Sequence, residues 1–272
     1  MCELLGMSNA VPLEVGFSLE RLAAHGGLLG PHRDGWGLAS YEGPDVRLTR
    51  LPEPAADSPL LHCMQQQRPA VTLAISHIRR RLRGDNVLAN TQPFARPLHG
   101  CWHCFAHNGD LPALLESPPP AEPWLRPVGD TDSERAFLAL LGRMAALPAP
   151  TTGGTVDPGR LPERIALIRE LAAAWREMGP ANFLYSDGVW MYAHAHVRLQ
   201  ADGRLGPPGL WLLDRNTPGL RPFRASGVDS RGRAGAQVLL ASVPLTDEYW
   251  EPLAEGELVV ARAGRVVARV AP

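Results

Sequence analysis

The sequence predicts an α+β fold with two mainly antiparallel sheets, made by a single unit spanning residues 2–272. Three observations carry this expectation. Apolar, alternating runs typical of strands gather at both ends of the chain, with helical runs between them. Strands and helices do not alternate in the rhythm that builds a parallel sheet. The proline-rich stretches at 118–127 and 148–162 do not separate two self-sufficient halves, because the strands after residue 183 need another layer to pack on.

Each element has its own signal. Residues 3–8 (ELLGMS) form a short apolar run that reads as a buried strand. A short helix is expected from a Ser18 cap to Gly26-Gly27, followed by a glycine-rich loop to Gly35. Runs 36–41 and 46–51, separated by Gly43-Pro44-Asp45, read as a hairpin. Ser58-Pro59 supplies an N-cap and a first-turn proline for a helix through residue 68. Residues 71–78 (VTLAISHI) alternate as a strand does, and 102–107 form another, stopped by Asn108-Gly109.

Thr131-Asp132-Ser133-Glu134 fits a capping box opening a helix to about residue 147. The strongest helical period follows, with Ile165, Ile168, Leu171, Trp175 and Met178 on one face and Gly179-Pro180 ending the run. The rest reads as β. Runs 183–186 and 190–196 flank an Asp187-Gly188 turn, 238–243 is a strand, and 258–262 and 265–270 turn at Ala263-Gly264.

Composition narrows the function classes. A formal net charge of −1 over 272 residues argues against a protein that tracks nucleic acid or an anionic membrane. The chain contains no run of 18 apolar residues and opens with no basic stretch followed by an apolar core. Neither a signal peptide nor a membrane span is expected, and the chain reads as cytoplasmic. Cys2, Cys63, Cys101 and Cys104 are too few for a disulfide scaffold at this length.

Cys2 carries the first chemical signal. Removal of Met1 would leave a thiol, of ordinary pKa about 8.5, and an α-amine, about 7.7–8.0, on one residue. Such an amine can act as general base for its own side chain. Taken alone, a cysteine near a start codon is more often an ordinary small residue. Here it is followed in order by DGWGLASY at 34–41, SHIRRR at 76–81, NTQPF at 90–94, AHNGDL at 106–111 and GDTDSE at 129–134. Together with the opening MCELLGMSNAVP, these motifs resemble the class II, N-terminal-cysteine glutamine amidotransferases. Among them the resemblance is closest to the small stand-alone bacterial group of the YafJ type. DGVWMYAH at 187–194 and SVPLTDEYW at 242–250 extend the likeness over most of the chain.

The resemblance implies a four-layer αββα sandwich of the N-terminal-nucleophile hydrolases. It implies Cys2 as nucleophile on a glutamine side-chain amide, with the Asn108 side chain and the Gly109 N–H as oxyanion donors. It also implies Arg79 as holder of the substrate α-carboxylate, which suits a planar guanidinium, and Asp132 as acceptor of the α-ammonium. The backbone at Thr91 and Gln92 would line the pocket. Many stand-alone members have histidine where this chain has Gln92, and Arg81 replaces a usually small residue. Arg80, Arg81 and Arg83 read as a solvated basic run, and Asp130 and Glu134 as structural. Asp34-Gly35-Trp36-Gly37 reads as scaffold behind the nucleophile, since it lacks the spacing of a phosphate loop.

The half-reaction implied needs no cofactor and no metal. Its substrate is L-glutamine or a γ-glutamyl compound. Relatives deliver ammonia to a synthetase domain, for which the chain leaves no room, so either a partner accepts it or the product is simply glutamate. A γ-glutamyl amide hydrolase of the ergothioneine-biosynthesis type shares the cysteine and the HNG motif. That branch typically begins MCRHLG and lacks the HIRR stretch, so Cys2-Glu3-Leu4-Leu5-Gly6 and Arg79 favour free glutamine. A non-catalytic binding protein on the same fold would be expected to have lost at least one of these residues.

Two other readings come from the residues alone. Cys101-Trp102-His103-Cys104 has thioredoxin-like spacing, but in a strand residues three apart point to opposite faces. His99, His103 and His107 share one strand without the further ligands a zinc site needs.

Overall fold

Cys2 stands at the head of the strand in the middle of a seven-stranded sheet. The computed structural model describes residues 2–14, 33–67, 69–118, 120, 122–152, 154–200, 202–216 and 235–272. Strands are numbered along the chain. In spatial order the first sheet comprises β15 (Glu251–Pro252), β13 (Trp211–Asp214), β14 (Gln237–Ala241), β1 (Glu3–Glu14), β4 (Ala70–Ile78), β2 (Trp36–Glu42) and β3 (Asp45–Leu51). The second comprises β17 (Arg265–Val270), β16 (Leu258–Arg262), β10 (Met191–His194), β9 (Ala181–Ser186), β6 (Cys101–Gly109) and β5 (Phe94–Leu98). Every pairing in both sheets is antiparallel. Two short ribbons, β7 (Thr151–Thr152) with β8 (Thr155–Val156) and β11 (Arg198–Leu199) with β12 (Leu205–Gly206), lie outside them.

Period-2 alternation sorts the side chains into layers. On β1, Leu4 enters the core between the sheets, while Leu5 and Met7 face outward. On β6, Cys104 and Ala106 enter the inter-sheet core, while Phe105 faces the helices. The outer face of the first sheet packs Leu5, Met7, Trp36 and Leu38 on Leu61 of helix α1 (Pro59–Gln67). Beyond the short helix α2 (Ala113–Glu116), the outer face of the second sheet packs Phe105, Phe183 and Tyr185 on Phe137 of α3 (Asp132–Met144) and Ile168 and Trp175 of α4 (Leu161–Met178). This is the α+β, four-layer αββα sandwich expected of an N-terminal-nucleophile hydrolase.

Differences from expectation are local. β1 runs to Glu14 rather than ending near residue 8, and α4 begins at Leu161. Helix α3 ends at Met144, three residues early. Its capping box is half formed: Thr131 Oγ1 accepts from the Glu134 N–H, 3.3 Å, but the Glu134 carboxylate turns to the N–H groups of Val128 and Gly129 and to Arg96. The helix expected at 18–26 lies outside the described residues. Cys101 and Cys104 are free thiols, Cys104 being buried in the inter-sheet core.

Candidate active site

The site forms where the ends of β1, β4 and β6 meet the N-terminus of α3. In the β1–β4 register Glu3 faces Ile78, which brings Cys2 beside the residues that follow β4. The Cys2 thiol accepts from the Arg80 N–H and faces the Arg80 carbonyl, both at 3.3 Å. Burial pushes the thiol up from its ordinary value, opposed by that N–H and by the Arg79 charge. The turn from β4 is pinned from behind by Asp34-Gly35: Arg79 N–H donates to the Gly35 carbonyl, 2.8 Å, and Arg81 N–H to the Asp34 carboxylate, 2.8 Å.

Strand β6 delivers its last residues to both sides. Asn108 points between the sheets, where its amide nitrogen donates to the Cys2 carbonyl at 2.6 Å and lies 3.4 Å from Ser242 Oγ. Its amide oxygen is buried and has no hydrogen-bond partner among the described residues. His107 points to the helix side, with Nδ1 3.0 Å from Ser133 Oγ and Nε2 3.3 Å from the Pro180 carbonyl. Burial lowers its pKa, against the pull of Asp132. Gly109 ends the strand, and only glycine fits: a Cβ there would lie 1.7 Å from the Pro180 carbonyl oxygen.

A single cavity opens over these atoms, lined by Cys2, Arg79, Gln92, Gly109 and Asp132 among others. Gln92 is set by its Oε1, which accepts from the His107 N–H at 2.6 Å. Its carbonyl closes against Gly37, where a Cβ would lie 2.2 Å away. Asp132 Oδ2 accepts from the Leu111 N–H at 2.6 Å. The buried Arg79 guanidinium donates to the carbonyls of Arg83, Gly84 and Asp85 and to Asn86 Oδ1, at 3.0–3.5 Å, and so organises the loop along the rim. Across the mouth, Arg83 pairs with Asp110 at 2.6 and 3.2 Å.

Behind Cys2, Ser242 ties the sheets together. Its Oγ accepts from the Leu4 N–H, 3.0 Å, its N–H donates to the Leu4 carbonyl, 3.0 Å, and its carbonyl accepts from Arg198, which pairs with Glu3 at 2.9 Å.

With this geometry in view, the comparisons with known proteins are direct. Residues 1–272 match the family of class II glutamine amidotransferases. The chain belongs to that family. The amidotransferase is 35% identical over 264 residues to YafJ of Escherichia coli (strain K12), which carries the provisional name of glutamine amidotransferase; the match covers 94% of this chain and 96% of YafJ. A Haemophilus influenzae protein with the same provisional name is 32% identical over 280 residues, covering 99% of this chain and 87% of its own length. Among solved structures, a protein of Pseudomonas aeruginosa assigned to the glutamine amidotransferases is 30% identical, with a TM-score of 0.67 over 98% of this chain and 100% of that one. The glutamine phosphoribosylpyrophosphate amidotransferase of B. subtilis shares the fold at 15% identity, with a TM-score of 0.59; the alignment takes in 99% of this chain and 49% of that one. Members of the family are enzymes that hydrolyse the glutamine amide. No helix among the described residues is long and apolar enough to cross a membrane.

Five of the seven residues singled out in the amidotransferase's sequence line the one cavity. Asn108 adjoins it through the Cys2 carbonyl. Thr91 stands behind: its hydroxyl donates to the Val87 carbonyl, and its own carbonyl accepts from Arg50. Arg83 is exposed, as expected of a solvated residue, and also borders the cavity, whereas Arg80 is half-buried with its backbone on the thiol. Arg81 is not among the lining residues. Asp130 and Glu134 serve structural bonds, to Asn90 and Arg96. His107, Asp110, Thr131 and Ser133 line the cavity without having been expected there, although each lies inside a quoted motif.

Proposed function

We propose that the protein hydrolyses the side-chain amide of L-glutamine through Cys2, once Met1 has been removed. The observation that carries this reading is the convergence of Cys2, Arg79, Gln92, Gly109 and Asp132 on one cavity. In the mechanism the Cys2 amine takes the thiol proton, directly or through water. The thiolate sulfur forms a bond to Cδ of glutamine while the Arg80 N–H supports the sulfur. Negative charge moves to the amide oxygen, where the Gly109 N–H and the Asn108 amide, released from its contact with Ser242, stabilise it; one such donor is typically worth about 10²–10³ in rate. The C–N bond breaks, the amine returns its proton to the departing nitrogen, and ammonia leaves a γ-glutamyl thioester. Water attacks the thioester, and glutamate and the free thiol are regenerated.

Arg79 and Asp132 orient the α-carboxylate and α-ammonium, and Gln92 lines the substrate pocket. A cationic guanidinium and a carboxylate lining one cavity suit a zwitterionic amino acid. D-Glutamine and carboxyl-blocked glutamine are therefore expected to be poor substrates. The acceptor of the ammonia is either water-borne release or a synthetase partner docked at the mouth, and the test begins with the protein alone. Intact mass is measured together with glutamate release from L-glutamine, for wild type and Cys2→Ala. Loss of Met1 and release by wild type alone supports the mechanism. Retained Met1, or equal release by both proteins, overturns it.

A further inference from the structure

The environment of His107 fixes which way a proton points at the edge of the cavity. The Pro180 carbonyl, 3.3 Å from Nε2, can only accept a hydrogen bond, so Nε2 carries the ring proton. Burial lowers the pKa of His107 and keeps the ring neutral, which leaves Nδ1 as a bare lone pair. Ser133 Oγ lies 3.0 Å from that lone pair and has one proton to give. Asp132 Oδ1 competes for the same proton from a longer 3.5 Å. The shorter contact takes it.

Two acceptors are then left side by side. Asp132 Oδ2 is occupied by the Leu111 N–H, but Oδ1 has lost its only close donor. Ser133 Oγ, having donated to His107, keeps its own lone pairs. The two oxygens lie 3.5 Å apart at the start of α3, and both residues line the cavity that holds Cys2. A single ammonium nitrogen can reach both.

We propose that Ser133 is a second acceptor for the substrate's α-ammonium, turned into an acceptor by the Nδ1 of His107. His107 is thus a positioning residue and Ser133 a binding residue. The inference rests on the proposed glutamine site and deepens it: the head group is read by two oxygens of different charge. A primary ammonium with three N–H donors satisfies both.

Calorimetry separates this inference from the reading beneath it. Binding of L-glutamine to Cys2→Ala protein is compared with binding of glutaramate, which is glutamine without its α-amine. Adding Ser133→Ala is expected to weaken L-glutamine about ten-fold, in line with loss of one bond to a charged group, and to leave glutaramate within two-fold. Ser133→Thr, which keeps the hydroxyl, is expected to restore glutamine binding. Equal losses for both ligands, or none for L-glutamine, overturn the inference alone. If Cys2→Ala protein binds no L-glutamine, both the inference and the glutamine reading fall. If it binds as expected while wild type releases no glutamate, the covalent mechanism falls and the inference stands.

Discussion

Cys2 is presented as a thiol rather than a thiolate. Burial raises its pKa, and the Arg80 N–H and Arg79 charge recover only part of that cost. In the proposed mechanism its reactivity depends on a base, which the α-amine freed by loss of Met1 would supply. Iodoacetamide labelling should show this directly. In protein that retains Met1, the rate is expected to climb with pH through a midpoint above the ordinary thiol value of about 8.5. Processed protein is expected to label faster at pH 7.5. Equal profiles for the two forms would remove the amine from the mechanism. Most of this site was legible in the sequence because its residues lie in short motifs whose order is informative. His107 was weighed only as a zinc ligand and Ser133 only as part of a capping box, since the Pro180 carbonyl that orients the imidazole lies 73 positions from His107.

At the scale of elements, hairpins and capped helices were readable because their signals are local. The 258–270 hairpin falls on its expected bounds, and Thr131 caps α3 as its sequence suggests. Strand β5 was not anticipated; it contains Pro97, which is tolerated because the strand lies at the sheet edge. The short β13 also escaped, its neighbours in the sheet being far along the chain. Ser242 is the same problem at a functional position. It joins β1, Arg198 and Asn108, none of them near it in sequence. Ser242→Ala leaves the Leu4 N–H without its partner and should destabilise by about 1–3 kcal/mol. The expected outcome is a lowered melting temperature together with reduced kcat at nearly unchanged KM for L-glutamine, because the nucleophile moves while the clamp residues stay. A lowered melting temperature with unchanged kcat would show that Ser242 supports the sheet only.

Across the whole molecule, the buried histidines of the second sheet set its response to acid. His103 and His194 are each held down to about 3, in both cases chiefly by burial. For His194 the hydrogen bonds explain the preference for the neutral ring: Nδ1–H donates to the Ala181 carbonyl at 2.8 Å, so Nε2 accepts from Arg176 at 3.2 Å. A second ring proton would face a guanidinium. Because these pKa values lie below the unfolded value of about 6.5, the unfolded chain binds more protons between the two. Their contribution is complete above pH 6.5 and is lost as pH falls toward 3. Each histidine should cost roughly 3 kcal/mol by pH 4, from about 1.4 kcal/mol per unit. Burial raises Asp187 and offsets part of this at the acid end. Thermal melts from pH 7.5 to 4 should be flat at first and then fall, and a His103→Gln/His194→Gln double variant should fall less steeply. Parallel curves for the two proteins would place the acid sensitivity elsewhere.

The central position of β1 also orders events in time. One neighbour, β4, is made early, but the other, β14, holds residues 237–241, and the Leu4 N–H closes on Ser242 across 238 positions. While the chain is still being synthesised, the first strand has only half of its sheet. Until residues 237–242 have been made, the amino-terminal strand lacks the neighbour that closes over it. The proposed trimming of Met1 would have that interval available, before the sheet around Cys2 is complete.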